Sequence, residues 1–188
     1  MLFTSPVFLL FFAVVFLVCR VAPWNLRKAF LLAASLAFYA AWNPPFVLLL
    51  LGSVVLDYGL GLAMGRTERP GPRKALLVLS LCGNLGVLAA FKYANFLSEN
   101  FIALANAAGW QVSLMPWNIV LPVGVSFYTF QTLSYTIDVY RKQIPVERNL
   151  LDFALFVTFF PQLVAGPIVR ASEFLPQLKQ PRAASSAQ

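Results

Sequence analysis

"LPVGVSFYTFQTLSYTIDVYRK", residues 121–142, decides what kind of fold this chain can adopt. It is too apolar for a soluble loop and too polar for a span that faces lipid. Ser126, Thr129, Gln131, Thr132, Ser134, Thr136 and Asp138 stand among its aromatic and aliphatic residues. Pro122 suits a first helical turn, where its missing N–H goes unused. From there Tyr128, Gln131, Tyr135 and Asp138 follow at spacings of three, four and three. That spacing gathers phenol, amide and carboxylate on one helical face, and it places Asp138 to pair with Arg141 along the helix. Each unsatisfied polar group in hydrocarbon costs several kcal/mol, so this face must look into protein or into a wet cavity. Periodicity leaves open which.

Outside this stretch the composition points to lipid. Of the 188 residues, 60% are hydrophobic and 11% charged, against roughly 25% charged in an ordinary globular protein. The net charge of +7 does not indicate nucleic acid, because the basic residues sit between apolar runs rather than on one patch. Basic loops flanking apolar spans follow the positive-inside rule. The runs at 6–18, 29–42, 46–64 and 75–91 read as four spans. Arg20, Arg27 and Lys28 then lie inside, with Lys28 and Arg27 snorkelling at the membrane border. The uncharged "NPP" turn at 43–45 lies outside, and "GRTERPGPRK" at 65–74 lies inside again. The first run has no basic stretch before it and is not a signal peptide; it reads as a retained helix with its N-terminus outside. Cys19 and Cys82 sit in or near the bilayer, and the chain has no histidine, so neither a disulfide nor a metal site is expected. Beyond Lys92, apolar residues recur at helical spacing (Leu97, Phe101, Leu104, Ala105, Ala108) opposite Ser98, Glu99, Asn100 and Asn106. This reads as an amphipathic helix lying on the outer surface, with Trp110 and Trp117 as anchors.

Two further places put polar groups at membrane depth. Asp57, in "VVLDYGLG", is ionisable and well inside the third run, which makes it a functional candidate. A structural hydrogen bond to a neighbouring helix is the simpler reading, and Gly61, Gly65 and Asn84 fit close helix packing. In "FALFVTFFPQLVAGPIVRASEFLPQL", residues 153–178, Pro161 and Pro167 interrupt the helix, with Gln162, Gly166 and Arg170 beside the breaks. Broken backbone at that depth needs protein or a cavity to supply partners. A re-entrant segment also avoids placing Arg170 and Lys179 outside, against the charge rule. The last residues, "QPRAASSAQ", read as a solvated tail.

The long motifs at 121–141 and 156–178 resemble the membrane-bound O-acyltransferase (MBOAT) family. The branch they resemble holds the bacterial alginate O-acetyltransferases and the teichoic-acid D-alanyl transfer proteins. "SPVFLLFF", "FYAAWNPPF" and "FKYANF" fit the same branch, and the resemblance runs to about Leu178. It implies an all-α integral membrane protein, a multi-span helical bundle forming part of an MBOAT ring. Residues 1–178 would be the N-terminal part of that membrane domain and 179–188 a polar tail. The implied activity is transfer of an acyl group, acetyl or another, to hydroxyls of an extracytoplasmic polysaccharide such as alginate. The donor, acetyl-coenzyme A or an acyl carrier protein, would be on the cytoplasmic side of a bacterial inner membrane, with no cofactor bound. The implied partners are the lipid bilayer, the polysaccharide acceptor and accessory extracytoplasmic acetylation proteins. By the resemblance, Ser126, Tyr128, Gln131, Tyr135, Asp138, Arg141, Gln162 and Arg170 line or brace a central channel. Pro122, Gly124, Phe127, Pro161, Gly166 and Pro167 shape its walls. The family's essential histidine belongs to a later portion without a counterpart here. Acyl transfer wants a base of near-neutral pKa, and Ser126 has no histidine to activate it as a nucleophile. The alternatives are a non-catalytic membrane scaffold or partner module and a small transporter-like protein.

Overall fold

Prolines 44 and 45 end one helix and begin the next, because proline cannot continue a helix but fits its first turn. The same device recurs at Pro6 and Pro70, so that α1 (Pro6–Val21), α3 (Pro45–Arg66) and α4 (Pro70–Ala107) all open on proline. The computed structural model describes residues 5–110, 119–166 and 169–180. The other helices are α2 (Trp24–Ala40), α5 (Val125–Tyr140), α6 (Leu150–Thr158), α7 (Phe160–Ala165) and α8 (Ala171–Lys179). No strand occurs among the described residues. Trp117, Pro167 and most of the expected tail lie outside them, and Lys179 belongs to α8.

Both α3 and α4 are long and apolar enough to cross a membrane. At 1.5 Å per residue, α3 is about 33 Å long, close to the hydrocarbon thickness of ~30 Å. The structure corrects the reading of a separate surface helix after Lys92. Residues 95–107 continue α4 without a break, giving one helix of 38 residues. The reason is local: no glycine or proline stands between Gly86 and Gly109, and nothing else there ends a helix. Gly109, at φ +84°, ends it in a left-handed turn. Its N–H donates to Asn106 and that of Trp110 donates to Ala105, which satisfies carbonyls at the helix end.

Lysines and arginines gather at one end of the bundle. Arg73, at the start of α4, reaches the last carbonyls of α3 and α5. Lys28, near the start of α2, meets Asp152 at the start of α6, while the Trp24 indole donates to the Leu178 carbonyl at the end of α8. At the opposite end the Tyr39 hydroxyl donates to Val123, just before α5. The start of α6 and the end of α8 therefore both lie against the start of α2, at the same end of the bundle.

Exposure is inverted relative to a soluble protein. Leu9, Leu10, Leu17, Leu48 and Leu104 are all exposed, whereas Asp57, Ser80, Asn84, Thr132 and Thr136 are buried. Apolar exposure on that scale is untenable in water and suits hydrocarbon. Between the helices lies a core of large side chains, including Tyr39, Leu50, Met64, Tyr135, Phe153 and Phe156. A second cluster packs Phe8 and Phe11 of α1 edge-on or tilted against Phe38 and Phe160.

Candidate functional site

The polar helix is α5, and its side chains divide between two neighbours. Tyr128, Gln131 and Tyr135 are buried within the protein. Gln131 does a specific task there. In the α6–α7 segment the helix breaks at Phe159, so the Phe156 carbonyl and the Phe160 N–H lose each other as partners. The Gln131 side-chain amide donates to the Phe156 carbonyl at 2.7 Å, and the Phe160 N–H donates to the Ser35 hydroxyl at 3.2 Å. Pro161 supplies no N–H in any case. Gln131 and Ser35 thus satisfy the groups that the break exposes, which in a dry interior would otherwise cost about 1–3 kcal/mol each. Gln162, half-buried, has its side-chain oxygen 3.4 Å from the Gln131 amide.

Two glycines let α5 approach its neighbours. Gly61 faces Tyr135, whose hydroxyl would lie 2.9 Å from a Cβ at that position; the same hydroxyl accepts from the Glu147 N–H at 3.1 Å. Gly124, at φ +78°, precedes α5 with the Leu163 carbonyl oxygen 2.5 Å from where a Cβ would be. Glu147 is buried, and its carboxylate is 2.9 Å from the Lys179 ammonium while accepting from the Asn149 N–H. Tyr135 therefore joins α3, α5 and the 141–149 segment, and Glu147 carries the connection on to α8.

The other face of α5 carries Thr129, Thr132 and Thr136, all buried. Asp57 stands opposite. Its carboxylate accepts from the Ser80 hydroxyl at 2.6 Å and from the Asn84 amide at 3.0 and 2.8 Å. Thr132 bonds the Asn84 side-chain oxygen at 3.3 Å, and Thr136 lies 3.3 Å from the Ser80 hydroxyl. Asp57 is thus held in a network across α3, α4 and α5, as the simpler reading of it expected.

Three placements differ from expectation. The Asp138–Arg141 pair does not form: the ion pairs among the described residues are Lys28–Asp152 and Lys179–Glu147. Arg141 falls just beyond the end of α5 and is exposed, while Asp138 is half-buried. Lys28 does not snorkel; it is buried and bonds Asp152 at 2.6 Å. Arg170 is exposed, as the residue before α8. Of the remaining candidates, Ser126 and Gly166 are half-buried, Phe127 is exposed, and Pro122 is buried beside Gly124. Arg73 was missed altogether. Its guanidinium donates to the carbonyls of Met64, Thr67, Val139 and Tyr140 at 2.6 to 3.3 Å, where two helix C-termini meet. No motif marks such a contact; the only sequence signal is an arginine in the first turn of a helix. Among the described residues no group of three or more histidine, cysteine, aspartate or glutamate side chains is placed to hold a metal.

Comparison with known proteins gives three instructive relatives. The "Probable alginate O-acetylase AlgI" of Pseudomonas aeruginosa is 41% identical over 179 residues, covering 94% of this chain and 34% of the relative. The protein of the same name from Azotobacter vinelandii is 40% identical, covering 94% and 36%. The "Peptidoglycan O-acetyltransferase" of Helicobacter pylori is 35% identical over 176 residues, covering 81% and 32%. No family model matches the chain, and no solved structure matches it significantly. The chain spans about a third of the length of these curated relatives. Homology at this level bears out the resemblance of the two long motifs: the chain is related, over about a third of their length, to the alginate and peptidoglycan O-acetyltransferases and is of MBOAT type.

Proposed function

We propose that this chain forms part of a membrane O-acyltransferase that moves an acetyl group from a cytoplasmic donor to a polysaccharide hydroxyl outside. The observation that carries this reading is the 41% identity to an alginate O-acetylase over 94% of the chain. In the reaction the acceptor oxygen attacks the donor's thioester carbonyl, the thiolate leaves, and the hydroxyl proton passes to a base. The chain has no histidine, so in this reading the base comes from outside its 188 residues. Its own contribution is the wall. Gln131 and Tyr135 hold the broken segment against α5, and Tyr128 is buried in the same core. The half-buried Ser126, Asp138 and Gln162 and the exposed Arg141 and Arg170 remain reachable along the path of donor and acceptor. The basic end lies in the cytoplasm and receives acetyl-coenzyme A or an acyl carrier protein; the chain crosses a bacterial inner membrane several times.

A chimera tests this. The matching third of the Pseudomonas aeruginosa relative is replaced by this chain, and acetyl ester on secreted alginate is measured in cells lacking the native protein. Restored acetylation is expected, with purified chain alone transferring nothing above a mock preparation. A chimera that reaches the membrane at normal levels and leaves the polymer unacetylated overturns the proposal in favour of a non-catalytic module.

A further inference from the structure

At the basic end, beside the last turns of α3, a cavity of about 720 Å³ opens between the helix and the 145–148 segment. Tyr58, Leu62, Arg66, Pro145, Val146 and Arg148 line it. Both guanidiniums are exposed, and among the described residues neither makes an ion pair or a side-chain hydrogen bond. In this they differ from Arg73, whose donors are taken up by backbone carbonyls. No carboxylate lines the cavity among the described residues; neighbouring Glu147 is engaged by Lys179 and the Asn149 N–H. Two positive charges therefore face one space without an internal counter-ion.

The space is built rather than incidental. The Tyr58 hydroxyl donates to the Arg148 carbonyl at 2.5 Å, which pins the backbone carrying one arginine. Gly65, next to Arg66, lets Val146 come so close that a Cβ would lie 2.8 Å from it. That contact sets the two arginines on either side of one opening. Leu62, Pro145 and Val146 supply an apolar wall beside the charges.

We infer that this cavity is a binding site for a phosphate group, carried on a molecule with a less polar remainder. Arginine forks match phosphate oxygens in paired, charge-assisted hydrogen bonds. The volume is within the ~300–1,000 Å³ of ligand sites and exceeds what a bare phosphate fills. The phosphate can arrive on an anionic phospholipid headgroup or on a soluble phosphorylated molecule. The inference is independent of acyl transfer.

The test uses the full chain in neutral detergent, titrated with short-chain phosphatidylglycerol in one arm and adenosine 3′,5′-bisphosphate in the other. Phosphatidylcholine and sodium chloride serve as controls, and thermal stabilisation is the readout. Saturable stabilisation by at least one anionic probe is expected, and the arm that responds identifies the source. Arg66→Gln with Arg148→Gln should weaken it by about tenfold for each arginine lost, as charge-assisted bonds of this kind require. Arg69→Gln with Lys142→Gln removes the same charge from the same end and should leave binding unchanged. Equal weakening by both double variants, or no response to either anionic probe, overturns the inference.

Discussion

Loss of one partner of the Lys28–Asp152 pair should be among the most damaging single changes in this chain. The two side chains are 9% and 5% exposed and 2.6 Å apart, and they join the first turns of α2 and α6 across 124 positions of sequence. Lys28→Met strands a carboxylate and Asp152→Leu strands an ammonium, each at an expected cost of about 3–5 kcal/mol. Replacing both removes the charges together and leaves apolar groups in an apolar setting, with a net change near zero, within about 1 kcal/mol. The double-mutant cycle should therefore show non-additivity of at least about 5 kcal/mol, against less than about 1 kcal/mol for an exposed pair. Purified chain in detergent micelles, followed by circular dichroism, reads this as melting temperature. Each single variant should fall by on the order of 10 °C, and the double should recover most of the loss. Single variants that melt with the wild type, or a double that falls by the sum of the two, would refute the burial argument and return Lys28 to the membrane surface.

Four other outcomes follow from the same geometry. Gly124→Ala should lower the melting temperature by the equivalent of at least about 2 kcal/mol, since it adds a left-handed strain of ~1–2 kcal/mol to a collision with the Leu163 carbonyl. Arg73→Lys should behave much like Arg73→Gln in the same assay, because a single ammonium cannot reach carbonyls on two helix ends as a planar fork does. Asp138→Asn and Arg141→Ala should each change stability by less than about 0.5 kcal/mol and show no coupling, because the pair does not form. Reporter fusions at Asn43 should read extracytoplasmic and fusions at Pro70 cytoplasmic, as the charge difference between the two turns dictates; swapped signals would invert the proposed orientation.

Local signals were legible and long-range ones were not. Proline marked the boundary between α2 and α3 and the interruption of the α6–α7 segment, because its effect on backbone geometry is written in one residue; yet Pro70, read within a polar turn, opens α4, and Pro122, read as a first-turn residue, stands ahead of α5. The polar face of α5 was visible from spacing, and so was its need for partners. What could not be read was which partners it has, since Gln131 meets Phe156 only after the 141–149 segment has folded α6 back onto α5. The same limit hid the buried salt bridge. An isolated Lys28 beside an apolar run looks like a membrane-border residue, and only the arrival of Asp152 makes burial tolerable. The apparent change of character after Lys92 misled for a different reason: amphipathic spacing describes which face is polar but says nothing about where a helix stops. Asp138 and Arg141 had correct helical spacing, yet α5 ends at Tyr140 and the exposed arginine is no longer drawn toward the acid.

The length of α4 has a mechanical consequence. At about 57 Å, it cannot be contained in ~30 Å of hydrocarbon even at a 40° tilt, near the limit for such helices. A stretch of it must stand clear. The position of Asn95 shows how the rest of the molecule is insulated from that stretch. Its side chain imitates a strand partner, donating to the Ile119 carbonyl at 2.8 Å and accepting from the Ile119 N–H at 2.9 Å. Residues 95 and 119 are thereby clamped together at the foot of the approach to α5. Load on the protruding end of α4 meets that clamp first, and α5 starts from the same anchor point every time.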